Sequence, residues 1–116
     1  MVMRMIATPR LKAGIFVRAL IRRVQVAGAS AFVVRSGMEE AGAIILIIAK
    51  LNGQVLVLNQ TRDAKGELAW AQPLGGWCDE ARANTWCAKQ IGFDPDLWIV
   101  EIEDREGRAF VDEPIV

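Results

Sequence analysis

The chain has 116 residues, with 14 basic and 14 acidic side chains and 53% hydrophobic residues. This length makes one domain that can bury a core without metal or disulfide support, and a formal net charge of zero gives no overall field to steer it onto nucleic acid or a membrane. Histidine and tyrosine are absent, which excludes a Ser–His–Asp triad or a Cys–His pair within one chain and removes the commonest metal ligand.

Residues 1–9, with Met1, Met3 and Met5, read as a loosely ordered start, and residues 10–116 as a single domain. Residues 12–17 read as a short strand. From Phe16 the period changes. Phe16, Leu20, Val24 and Ala27 recur at helical spacing while Arg18, Arg22 and Gln25 fall on another face. This predicts an amphipathic helix of about ten residues, stopped at Gly28.

Residues 31–35 form a partly β-branched run closed by Ser36-Gly37 and predict a strand. Residues 42–51 predict the strongest strand, with Ile44, Leu46 and Ile48 on one face and Ile45 and Ile47 on the other. Both faces therefore need cover, one from a helix and the other from the second helix or another copy of the chain. Asn52-Gly53 is expected to form a type I′ turn, with residues 54–61 as the partner strand. A second turn at Asp63-Ala64-Lys65-Gly66 leads to a third strand at residues 67–72, and Pro73-Leu74-Gly75-Gly76 ends this meander. Residues 79–91 predict the second helix, with Ala83, Cys87 and Ile91 on one face and Gly92 as its stop. After a turn at Asp94-Pro95-Asp96, residues 97–103 alternate: Trp98, Val100 and Ile102 on one side, Leu97 and Ile99 on the other. Residues 108–111 read as the returning arm of a hairpin. The fold class is α+β: a mostly antiparallel sheet, a meander of about five to seven strands, with two helices in a single domain.

Charge is unevenly placed. Residues 1–38 carry Arg4, Arg10, Lys12, Arg18, Arg22, Arg23 and Arg35 and no acid, whereas the last quarter is dominated by acids. Either the two ends neutralise one another, or the arginine-bearing first helix binds an anion or nucleic acid through Arg18, Arg22 and Arg23. Asp94, Asp96, Glu101, Glu103 and Asp104 could hold a divalent cation or act as an acid–base pair. Equally, Asp94 can cap a turn ahead of Pro95 while Glu101 and Glu103 face solvent. Trp77 and Trp98, with Asp94 and Asp96, make a candidate interface or ligand surface, and Trp77 is the tryptophan expected to be partly exposed. Neither Ser30 nor Ser36 lies in a nucleophile-elbow pattern, and no phosphate- or dinucleotide-binding glycine loop is present. No catalytic residue, metal or cofactor is assigned.

Cys78 and Cys87 fit no zinc spacing and read as free thiols in a reducing cytoplasm. The start lacks the apolar stretch of a signal peptide, and the apolar run at residues 41–49 is too short to span a bilayer. A cytoplasmic chain with no membrane contact is expected.

Two resemblances follow. Residues 43–63, the Pro73–Gly76 break and the helix after it resemble the opening half of a Nudix hydrolase, whose helix carries clustered glutamates that hold magnesium on a pyrophosphate. Here that helix has only Asp79 and Glu80 at its start, and reads Thr85-Trp86-Cys87-Ala88-Lys89-Gln90-Ile91-Gly92 where the family's acids stand. The resemblance is superficial and implies at most the scaffold of a carboxylate-dependent metalloenzyme. Residues 10–110, and most specifically Phe93-Asp94-Pro95-Asp96-Leu97-Trp98 followed by Glu103-Asp104-Arg105-Glu106-Gly107-Arg108, resemble a family of short bacterial proteins known only as a domain of unknown function. That resemblance implies a full-length domain and brings no activity or ligand. With the apolar surplus, the doubly apolar strand and the missing catalytic groups, the leading expectation is a small non-enzymatic interaction module that self-associates as a homodimer through its sheet or tryptophans.

Overall fold

A computed structural model describes residues 11–116. The loosely ordered start expected at residues 1–9 lies outside the described residues. The first element is α1 (Ala13–Val26), so the strand expected at residues 12–17 is instead the opening of the helix. Its β-branched, aromatic run suggested a strand, but Ala13, Val17, Leu20 and Val24 share one buried stripe at helical spacing. Lys12 offers no capping side chain. The first-turn amides are satisfied from elsewhere: Ala13 and Gly14 donate to the carbonyls of Glu40 and Glu39, at 3.3 and 2.9 Å. A Cβ on Gly14 would meet the Glu39 carboxylate, which would have to swing aside. The helix ends as expected, with Gly28 in the left-handed region at φ 87°.

The strands are β1 (Ser30–Arg35), β2 (Ile44–Ala49), β3 (Gln54–Arg62), β4 (Leu68–Ala71), β5 (Cys78–Asp79) and, after α2 (Glu80–Phe93), β6 (Trp98–Glu103). They form one six-stranded sheet in the order β1-β6-β2-β3-β4, with β5 beside the far end of β3. Only β2, β3 and β4 form a meander. The last strand, β6, enters the middle and runs parallel to β2, pairing Ile44 with Trp98 and Ile48 with Ile102. On its other side β6 is antiparallel to β1. Residues 108–111 therefore form no hairpin arm, because both edges of β6 are already occupied. The β2–β3 connection also differs from expectation. Lys50 donates to the Gln54 carbonyl across a loop in which Leu51 and Gly53, not Asn52, take positive φ. Asn52 instead accepts from the Gln54 amide at 3.0 Å.

The sheet is covered on both faces from within the chain. Alternation along β2 sends Ile44, Leu46 and Ile48 to the α1 side, where they pack with Leu58, Val100, Ile102, Trp70 and Trp98. Ile45, Ile47 and Ala49 face α2 and pack with Val55, Val57, Leu97, Ile99, Cys78, Ala83 and Cys87. The second face is thus buried by α2, and a second copy is not needed to cover β2. Each fully buried large side chain here contributes roughly 1.5–3 kcal/mol. Asp79 caps α2 by accepting from the Arg82 amide at 2.8 Å. The helix runs through Gly92 to Phe93, one residue past the expected stop, and Asp94 is its C-cap.

The C-terminal residues close the β4 edge. Trp70 donates its amide to the Pro114 carbonyl and accepts from the Val116 amide, at 2.9 and 2.8 Å, forming a parallel bridge to Ile115. The Trp70 ring is fully buried, tilted against Phe16 at 5.9 Å, and its indole N–H donates to Glu113 at 3.0 Å.

Candidate functional site

The three arginines on α1 have different surroundings. Arg18 forms a two-pronged pair with Glu39 at 3.2 and 2.9 Å, and these bonds hold the Glu39 carboxyl below the usual carboxylate range. The anion that Arg18 meets is thus in its own chain. Arg23 donates to the Phe110 carbonyl at 2.6 Å and lies 3.7 Å from Asp112, joining the basic start to the acidic end. Arg22 is exposed, and no ion pair to it is seen among the described residues. The three guanidiniums are not gathered into one clamp, since two of them have separate intramolecular acceptors.

Asp94, Asp96 and Trp98 build a structural corner. The Asp94 carboxylate accepts from the Asp96 amide at 3.0 Å, so it stabilises the turn ahead of β6. The Asp96 carbonyl accepts from the Met38 amide at 2.8 Å, and the Met38 carbonyl accepts from the Trp98 indole at 2.8 Å. Trp98 is 6% exposed and packs in the core rather than lining a surface. A Cβ on Gly42 would collide with the Asp96 carbonyl and the Trp98 ring. Trp77 is more open, at 37% exposure, with the Lys50 ammonium 4.2 Å above its ring.

The remaining acids do not converge. Asp104 is the one buried charged residue among the described residues. Its carboxylate accepts from the Arg108 amide, Nε and Nη2 at 2.8, 2.9 and 3.0 Å. The Arg108 hydrogen bonds hold it below its ordinary range despite desolvation. Glu101 shifts upward, chiefly through burial and then through the nearby carboxylates of Glu103 and Glu80. Among the described residues, no group of three or more Cys, Asp or Glu side chains is placed to hold a metal ion. Asp79, one of the two acids on the Nudix-like helix, is engaged in capping. Cys78 and Cys87 are buried free thiols, and burial pushes Cys87 upward. No described helix is long and apolar enough to cross a membrane.

Sequence reasoning overlooked two features. The first is β1, an outer strand with Phe32, Val33 and Val34 exposed by 44, 37 and 52% and Met38 just beyond it. The run at residues 31–35 predicts the strand but not its position, and its place at the sheet edge makes those side chains accessible. A register shift between Val33 and Arg35 distorts the far end of its pairing with β6. The second is a cavity of about 540 Å³ beside the start of α1, lined by apolar Phe16, Ile44 and Leu68 and by charged Glu40, Arg62 and Glu113 among others. Its lining comes from four separate parts of the chain, so no local motif announces it.

These elements define a small α+β domain with a helix on each face of a mixed sheet and no assembled catalytic constellation among the described residues. The chain belongs to the DUF1491 family, proteins of unknown function, whose family model matches residues 11–112. It is similar to a crystal structure of a DUF1491 family protein from Caulobacter crescentus CB15, at 36% identity and TM-score 0.86, covering 92% of this chain and 100% of that one. An NMR structure of a DUF1491 family protein from the same organism gives 36% identity and TM-score 0.80, covering 91% and 96%. A solution structure of a protein from A. tumefaciens gives 33% identity and TM-score 0.71, covering 82% and 86%. No curated protein matches the chain.

Proposed function

We propose that this protein is a bacterial, cytoplasmic, non-enzymatic interaction module that self-associates as a homodimer through β1. One observation carries the reading: Phe32, Val33 and Val34 are each exposed, Phe32 and Val33 on opposite faces, along an outer strand that no other described strand covers. Soluble domains usually blunt such an edge with charge, proline or a covering segment. Here Ser30 to Val33 keeps regular pairing with β6 and presents apolar side chains, while the irregularity beyond Val33 limits backbone pairing to that first part. A second copy meeting it antiparallel would set like against like, as a two-fold contact requires. The buried free thiols accord with a reducing compartment.

Size-exclusion chromatography with light scattering tests this, at low and high salt. The expected species is a salt-independent dimer that Phe32→Lys converts to a folded monomer. A wild-type chain that stays monomeric at high concentration removes the reading. A salt-sensitive complex carrying nucleic acid would point instead to the exposed arginines of α1.

A further inference from the structure

We propose that the outer face of α2 is a binding site for a small planar aromatic anion, with Trp86 as the stacking surface and Arg82 and Lys89 as the charge partners. A groove of about 410 Å³ lies there, lined by Leu74, Ala81, Arg82, Thr85, Trp86 and Lys89. Positions 82, 85, 86 and 89 share one helix face, so one element sets their relative placement. Arg82 and Lys89 stand about two turns apart, roughly 10 Å along the axis, and flank Trp86. A flat ring stacked on the indole could then reach a cation at either end.

The charge balance of the groove fixes the sign of the ligand. Both ionisable residues in its lining are basic and none is acidic. Neither takes part in any ion pair seen among the described residues. The Arg82 amide donates to Asp79, and no hydrogen bond or ion pair to its guanidinium is seen among the described residues, which leaves that group outside the helix cap. Trp86 is half-buried against the core that contains Cys87 and Ala83, so the body of the ring is anchored while part of it stays accessible. Leu74 and Ala81 add apolar walls, and the Thr85 hydroxyl can donate to an oxyanion. Apolar walls, an aromatic face and a few placed polar groups are what small-ligand sites present, and stacking with charge pairing on an aromatic anion draws on each of them.

The chemistry is common to a nucleoside monophosphate and to an aromatic carboxylate or sulfonate. The test therefore uses two probes, adenosine 5′-monophosphate and 8-anilinonaphthalene-1-sulfonate, each titrated into the full 15N-labelled chain. The readout is the indole N–H cross-peak of Trp86, assigned with Trp86→Phe. The site is supported if either probe shifts that peak saturably, the affinity falls with added salt, and Arg82→Gln/Lys89→Gln binds it about tenfold more weakly. Response to the phosphate probe assigns a nucleotide-like ligand, and response to the sulfonate alone assigns a non-phosphorylated aromatic acid. The proposal is overturned if neither probe moves the Trp86 peak at millimolar concentration, or if the double variant binds as tightly as the parent. Both replaced residues are exposed, and an unchanged amide spectrum verifies that the double variant folds.

Discussion

The two edges of the sheet are handled in opposite ways. At β4, the chain folds its own end back, and Trp70 is bonded through its amide, its carbonyl and its indole to residues 113–116. At β1, no described strand follows, and Phe32, Val33 and Val34 stay accessible. Both edge strands are short, and neither carries a gatekeeping proline. One has its open edge satisfied within the molecule, while the other leaves apolar surface that binding can still cover. An edge strand therefore cannot be judged by its own composition. What matters is whether a distant segment returns to it.

The contrast can be attacked from the covered side first. Trp70→Ala is expected to cost about 3–5 kcal/mol in chemical denaturation, since it empties a fully buried site and releases Glu113. Next is Asp104→Asn, at about 2–3 kcal/mol near neutral pH, because the bonds to Arg108 are charge-assisted. Asp104 also donates its amide to Ala49 at the end of β2, so the turn that Arg108 braces lies directly at the end of the β6–β2 seam. Its folded carboxyl is held below the ordinary value, so its contribution is complete above that value and fades as pH falls through the lowered one. The penalty of Asp104→Asn should shrink over the same acid window in pH-dependent melts.

Removing residues 114–116 should cost about 1–2 kcal/mol and make β4 resemble β1, with faster hydrogen exchange at the Trp70 amide. Glu101→Gln should do the reverse and stabilise the fold at neutral pH by up to about 0.5–1 kcal/mol, a figure held low by solvent screening. Glu101 titrates above its ordinary value, so the cost of its charge is absent in acid, begins as pH rises past the ordinary value and is complete above the raised folded one. The gain should therefore vanish in acidic melts. Phe32→Lys should change monomer stability least, within about 0.5 kcal/mol, because nearly half of the residue is already exposed at the sheet edge.

Local pattern was a reliable guide where one period prevailed. The two faces of β2, the alternation of residues 97–103 and the stripe of α2 through Ala83 and Cys87 were all legible. The start of α1 was not, because Lys12 is no cap and the amides find carbonyls at Glu39 and Glu40, more than twenty residues away. Strand order was not legible either. Nothing local in residues 98–103 distinguishes a hairpin arm from a strand inserted beside β2. The pairing of Trp70 with Ile115 likewise leaves no periodic trace in residues 113–116. Of the candidate site residues, the capping role of Asp94 and the partial exposure of Trp77 could be read from sequence. The partners of Arg18 and Arg23 could not, since each depends on a loop or tail brought in by the fold.

The insertion of β6 between β1 and β2 governs how the molecule can come into being. A nascent chain can assemble the β2–β3–β4 meander early, but the seam of the sheet stays open until residues 98–103 have been made. Until then β1 has no strand to pair with, and both inner strand edges are unsatisfied. Folding must close a loop of about fifty residues around β3, β4, β5 and α2, which places the decisive step late and makes it slow. A chain cut short before Trp98 would lack the keystone of its sheet and present two sticky edges to chaperones and proteases. Quality control thus has a simple criterion to act on: only a chain synthesised past residue 103 can hide them.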